Sequence, residues 1–250
     1  MFFAFLSLPF IRPVVAFYTQ LSHGQICRTA LNFHKPDLCI STSYGFDSAI
    51  RNWKTKHHSQ LLYLNMIVDP RTFFPTNVCP EADYNCVFDQ KTAELVTQKF
   101  PSAKTIVTGW FIRQKFFAVK DKNPLRQKLN LDPNLFTFFL VSGSEGENQS
   151  IKVLPSLINS QLSFQIVVAC GTNQALKNEV EKIQADLQKK AISSVRIHAL
   201  SFTTMIPEYM QAADLIIGKA GPNTLFEAVA TQIPFFALSH IAGQEDGNLD

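Results

Sequence analysis

The sequence predicts an α/β protein built on parallel sheets, organised as two doubly wound halves. Three observations carry this. Short runs of β-branched and aliphatic residues alternate with amphipathic stretches from about residue 36 onward, the pattern of strands buried on both faces and joined by helices. The alternation restarts after a polar break at Lys120 to Pro124. A chain of 250 residues that is 46% hydrophobic and 17% charged also holds enough apolar material for one large core or two ordinary ones.

In the first half, "DLCIST", "LLYLNMIV", "NCVFD" and "KTIVTG" read as strands, with a helical piece after the first and "KTAELVTQKF" as a helix before the last. The second half is more regular. Strands at "LFTFFLVSG", "FQIVVACG", "VRIHAL", "DLIIG" and "PFFAL" are separated by helices at "IKVLPSLI", from Asn173 onward, at "IPEYMQAA" and at "TLFEAVATQ". In the long helix Leu176, Val180, Ile183 and Leu187 fall at spacings that share one buried stripe. These readings give a domain at 1–120 and another at 121–250. Each looks incomplete: the first has no opening strand with a glycine-rich turn, and the second stops at Asp250 just after a loop.

Composition excludes several functions. A net charge of +3 without long Lys/Arg runs gives no phosphate-backbone footprint, so no nucleic-acid partner is expected. The five cysteines (Cys27, Cys39, Cys79, Cys86 and Cys170) are scattered, with no CxxC pair or histidine cluster, so neither a disulfide framework nor a metal site is expected, and a reducing cytosol fits. The opening "MFFAFLSLPFIRPVVAFY" is apolar but interrupted by Pro9, Arg12 and Pro13. It falls short of the ~20-residue span of a membrane helix and lacks a basic leader, and an interfacial or buried segment is expected.

Ligands of open α/β sheets bind beyond the carboxyl ends of the strands, and three loops there stand out. In "VSGSEGENQS", Gly143 to Gly146 allow close backbone approach and precede a helix whose N–H groups suit a diphosphate; an ordinary turn has the same composition. In "GKAGPNTLFEA", Gly218 and Gly221 make a tight turn, Pro222 opens a helix, and Asn223 or Thr224 is the expected N-cap. Glu227 then lies in the first turn. It serves either as the acid of a T-x-x-E capping box or as an acceptor for a ribose diol, and spacing alone favours the box. In "SHIAGQEDGNLD", Gln244, Glu245 and Asn248 present amides and a carboxylate suited to sugar hydroxyls, as a polar surface turn also would.

The ordered stretch "GKAGPNTLFEAVATQIPFFALSHIAGQEDGN" closely resembles the nucleotide-sugar signature of glycosyltransferase family 28. Within that family it is most similar to the branch of monogalactosyldiacylglycerol synthases and processive diacylglycerol glucosyltransferases. "PDLCIST", "IVDP", "VTGWFIRQKF" and "FFLVSGSEG" resemble further segments of that branch, in the same order. The resemblance implies a GT-B fold, two Rossmann-like domains facing a cleft, with no obligatory metal or cofactor. A UDP-sugar would sit on the C-terminal domain and a lipid acceptor such as diacylglycerol on the N-terminal one, with the protein peripheral at the cytoplasmic face of a membrane.

Carried over by position, Gly143, Ser144, Glu145, Gly146, Lys219, Gly221, Pro222, Asn223 and Thr224 would face the diphosphate, and Glu227 the ribose. Leu200, Phe202 and Met205 would line the uracil pocket, and Gln244, Glu245 and Asn248 would face the hexose. Asp69 is the remaining candidate for acceptor-side catalysis.

Departures bear on catalysis rather than on donor binding. The family's G-G-G-H-type turn has no counterpart, His23 being expected as a surface or partly buried histidine, while Ser142, Asn223 and Phe111 replace a glycine, a glycine and a proline. The expectation is a chain lacking parts of both domains. The rivals are a non-catalytic nucleotide-sugar-binding subunit that works with a partner chain, and a UDP-sugar epimerase of the same architecture.

Overall fold

The computed structural model describes residues 11–57, 60–117, 121–141, 150–160, 162–190, 194–241 and 245–248. Contacts divide them into two compact units, one reaching Trp110 and resuming at Ile241, the other running from Phe111 to His240.

The first unit runs α1 (Ile11–His34), β1 (Leu38–Ser41), α2 (Asp47–Lys56), β2 (Leu62–Met66), a 3₁₀ turn (Pro75–Asn77), β3 (Tyr84–Val87), α3 (Gln90–Lys99) and β4 (Thr105–Val107). The strands pair in parallel in the order β1-β2-β3-β4, as the four apolar runs predict. Leu31, Ile50, Trp53 and Tyr63 form one core cluster, and Ile67, Val87, Ala93 and Val96 another. Asn65 and Asn85 are register partners and buried. The Asn65 amide donates to Asn85 Oδ1 and to the backbone oxygen of Asn77, both at 2.8 Å, which fixes the loop that follows β2. Buried amides satisfied in this way rigidify what they hold. His23 lies in α1, partly buried, with its ring edge-on to Phe46. Among the described residues no helix is long and apolar enough to cross a membrane.

The opposite face of this sheet is different. Register partners share a face, and they place Leu38, Ile40, Leu62, Leu64, Met66, Tyr84, Cys86 and Ile106 side by side. Five of these, Leu38, Ile40, Leu62, Tyr84 and Ile106, remain 41–55% exposed.

The second unit runs from a 3₁₀ turn (Gln114–Phe116) through α4 (Lys122–Lys128), β5 (Phe136–Val141), a 3₁₀ turn (Ser150–Val153), α5 (Leu154–Ile158), β6 (Phe164–Gly171) and α6 (Gln174–Lys189). It continues with β7 (Val195–Ser201), α7 (Ile206–Ala212), β8 (Leu215–Lys219), α8 (Pro222–Thr231) and β9 (Phe235–Ser239). All five strands are parallel, in the order β7-β6-β5-β8-β9. Alternate residues feed two cores: Leu140, Ile166, Val168 and Ile217 on one face, Phe139, Val167, Ala169 and Ile216 on the other. Asn173 Oδ1 accepts the Leu176 N–H at 2.9 Å and starts α6, and Leu176, Val180 and Leu187 are buried on the expected stripe.

This unit's core already includes Phe116, ahead of the polar break at Lys120 to Pro124. The Gln211 amide and the Thr204 carbonyl bind the backbone and side chain of Lys115.

Candidate functional site

In the second sheet the chain leaves β5 toward β6 on one side and later returns to β8 on the other. That reversal makes the β5/β8 carboxyl ends the place where such sheets bind ligands. β5 leads into the loop of Gly143, Ser144, Glu145 and Gly146, which lies outside the described residues, as does Gln244. β8 ends at Lys219. Gly218 pairs with Val141 across the two strands, and a Cβ on it would stand 2.9 Å from the Val141 carbonyl oxygen, so only glycine lets the strands approach at the switch point.

The start of α8 corrects the cap expected from the sequence. Gly221, not Asn223 or Thr224, is the N-cap, and Pro222 occupies the first turn. Proline fits there because its fixed φ is helical and its missing N–H would have had no partner. No side chain caps the terminus, so its N–H groups and the positive end of the helix dipole suit an anion. Asn223 is helical, and its tolerance of left-handed geometry is not used.

Thr224 is therefore inside the helix, and the T-x-x-E capping box does not form. Glu227 stands in the second turn, where its carboxylate accepts a 2.9 Å bond from Arg113 Nη2. Arg113 lies just ahead of the 3₁₀ turn at Gln114–Phe116, with its guanidinium 4.9 Å from the Phe116 ring centroid. The segment "WFIRQKF" by itself gives Arg113 no role. The signal was a single arginine next to a core aromatic in a crossover segment.

Of the uracil-pocket candidates, Leu200 and Met205 pack against the Phe139 core, and Met205 is the N-cap of α7. Phe202 is 74% exposed just after β7. An exposed aromatic ring between two anchored residues is a surface on which a planar base can stack.

The remaining candidates belong to the first unit. Asp69 follows β2, is 4% exposed and faces the Asn77 amide at 3.4 Å. Glu245 is buried, and its Oε2 accepts the Ile241 N–H at 2.7 Å, closing its own loop. Asn248 ends a 3₁₀ turn (Asp246–Asn248), donating its N–H to the Glu245 carbonyl. The Gly247 N–H donates to Thr72 Oγ1. Sequence reasoning singled out neither Gly247 nor Thr72, and together they bring the Glu245–Asn248 turn against the Asp69 loop.

Known proteins resemble this chain in sequence and in fold. Residues 137–237 match the glycosyltransferase family 28 C-terminal domain. A probable monogalactosyldiacylglycerol synthase 3 of Oryza sativa subsp. japonica is 30% identical over 233 residues, which are 88% of this chain and 44% of the relative. A processive diacylglycerol beta-glucosyltransferase of Bacillus licheniformis is 31% identical over 142 residues, 57% of this chain and 36% of the relative. The chain thus spans less than half the length of these relatives. Among solved structures, MurG of Acinetobacter baumannii aligns with a TM-score of 0.61 at 20% identity, over 92% of this chain and 60% of that one. Over residues 137–237 the chain is thus similar to the C-terminal domain of glycosyltransferase family 28, and it presents part of the GT-B fold.

Proposed function

We propose that the protein transfers a hexosyl group from a UDP-sugar to a lipid hydroxyl, with diacylglycerol as the acceptor class, at the cytoplasmic face of a membrane. The observation that supports this most is Glu227. It is not used as a cap, and it is oriented by Arg113 in the second turn after an uncapped helix start at the sheet's switch point. In this reading the α8 N-terminus, with Lys219 and the Gly143–Gly146 loop, receives the diphosphate, Glu227 receives the ribose diol, and Phe202 stacks on the uracil between Leu200 and Met205.

The chemistry follows from the leaving group. UDP departs with growing negative charge on its phosphate oxygens, and fixed N–H donors stabilise that charge without reorganising. The acceptor oxygen attacks the anomeric carbon from the opposite side, with inversion. Asp69 takes its proton, and Gln244, Glu245 and Asn248 meet the hexose. The two curated relatives support a diacylglycerol acceptor by their names.

The test is titration of UDP against the wild type and Glu227→Ala. Losing a charged acceptor for the ribose hydroxyls removes about 1.5–3 kcal/mol, so the UDP Kd is expected to rise roughly 10- to 150-fold. An unchanged Kd would remove the ribose role. Transfer of labelled hexose to diacylglycerol in detergent micelles tests the acceptor half. Uridine binding without any transfer would favour the non-catalytic subunit.

A further inference from the structure

The geometry points to Thr72 and Gly247 as a clasp that fixes the hexose-facing turn beside the acceptor-side carboxylate, making Thr72 a positioning residue for the donor sugar. The inference rests on the proposed transferase reading and adds to it a residue that acts through another segment.

Both pieces held by the clasp are internally tied. In the first, the Thr72 N–H donates to the Pro70 carbonyl at 2.6 Å, and Arg71 takes a left-handed φ of 59°. Arg71 Nη2 also reaches Asp89 Oδ2 at 3.1 Å. Arginine tolerates positive φ poorly, so a side-chain anchor on the N-cap of α3 helps to hold the loop in that form. Asp69 sits in the same loop, buried against Asn77, whose backbone oxygen the Asn65 amide holds.

In the second piece, the Ile241 N–H donates to Glu245 Oε2, the Glu245 N–H to the Ile241 carbonyl at 2.8 Å, and the Asn248 N–H to the Glu245 carbonyl at 3.0 Å. The two pieces meet where the Gly247 N–H donates to the Thr72 hydroxyl.

The fit at that point excludes any side chain on residue 247. A Cβ there would stand 2.3 Å from Thr72 Oγ1, 2.7 Å from the Pro70 carbonyl oxygen and 2.8 Å from the Thr72 nitrogen. Two of those atoms are backbone of a loop pinned by three contacts, so neither side can give way. Glu245 and Asn248 are thereby set at a fixed spacing from Asp69, within one compact unit. A transferase needs that relation constant, because the anomeric carbon must meet the activated acceptor oxygen within a few tenths of an ångström.

Thr72→Val keeps the shape and removes the hydroxyl acceptor, whereas Thr72→Ser restores it. The expected result is a split. UDP affinity stays within about twofold of wild type, while the gain in affinity that the hexose confers falls about tenfold, with KM for UDP-hexose rising in parallel. Thr72→Ser recovers both. Equal loss for UDP and UDP-hexose, or no loss for either, would overturn the positioning role.

Hydrogen exchange of the ligand-free protein tests the clasp independently of any uridine ligand. The Gly247 amide is expected to be protected in the wild type and in Thr72→Ser, and to exchange at least tenfold faster in Thr72→Val. Equal exchange in all three removes the clasp. Absence of uridine binding to the wild type, with the exchange pattern intact, counts against the transferase reading alone.

Discussion

Asp214→Ala is expected to destabilise the second unit by about 3–5 kcal/mol, the cost of stranding a buried charge. The stranded group is Arg126, which is 5% exposed. Its Nε donates to the Ala212 carbonyl at 2.9 Å, and its Nη1 to the Pro133 and Leu135 carbonyls at 3.1 and 3.2 Å. Its Nη2 meets Asp214 Oδ2 at 2.5 Å, and the same oxygen accepts the Thr137 N–H at 2.8 Å. Lys122 completes the set on Oδ1 at 3.0 Å. The network ties α4 and the end of α7 to the first residues of β5 and β8, the two strands that meet at the candidate site.

Burial opposes the charged form of Asp214, but bonds from the Thr137 N–H, Lys122 and Arg126 outweigh it and hold its carboxyl below the usual range. A depressed folded-state pKa contributes stability above the unfolded value of about 4, and that contribution is lost as pH falls through the folded value. The difference between wild type and Asp214→Ala, measured by urea unfolding, is therefore expected to be full at neutral pH and to shrink below about pH 4. Arg126→Met combined with Asp214→Leu should recover much of the loss, because no buried charge is then left unpaired, Lys122 being open to solvent. A single-variant cost under about 1 kcal/mol would mean the pair is solvated.

Phe116→Ala is the second large effect, about 3–5 kcal/mol. The ring is fully buried among Phe139, Met210, Ile216 and Ala228 and lies beneath the Arg113 guanidinium. Removing it opens a cavity and also takes away the platform of the arginine that orients Glu227. Phe116→Leu retains most of the volume and should cost about 1 kcal/mol, yet under the proposed transferase function it should still weaken UDP binding several-fold. Calorimetric unfolding and UDP titration on the same two variants separate the packing effect from the effect on the site. If Phe116→Ala cost little, Phe116 would not belong to the second core, and that core would begin after the polar break near Lys120.

Much of this fold was legible because buried parallel strands are written locally. "FQIVVAC" is apolar at every position but one, and the stripe from Leu176 to Leu187 has the period of a helix. The helix start at Pro222 was misplaced for a physical reason. Asn223 and Thr224 are both good capping residues, but proline belongs at the first helical position, and giving it that weight selects Gly221.

What could not be read were contacts between residues far apart in sequence. Arg113 and Glu227 are 114 positions apart, and Thr72 and Gly247 are 175 apart. No local pattern announces either pair. Gln165 shows the same limit: this one polar residue in its strand is fully buried, and its amide binds the Asp132 carbonyl and the Thr137 hydroxyl.

The half-exposed face of the first sheet has a colloidal consequence. Four strands at 4.7–4.9 Å spacing make a ledge about 14 Å across from the first strand to the last, and none of the eight residues from Leu38 to Ile106 that line it carries a charge. Parallel sheets are ordinarily covered on both faces. Chains of this sequence are therefore expected to bind anilinonaphthalene sulfonate while folded and to salt out early in ammonium sulfate, which strengthens apolar association. Ile40→Lys with Tyr84→Lys should reduce both effects without lowering the urea midpoint. What limits this protein in concentrated solution is then the bare ledge, a property separate from how firmly either unit is folded.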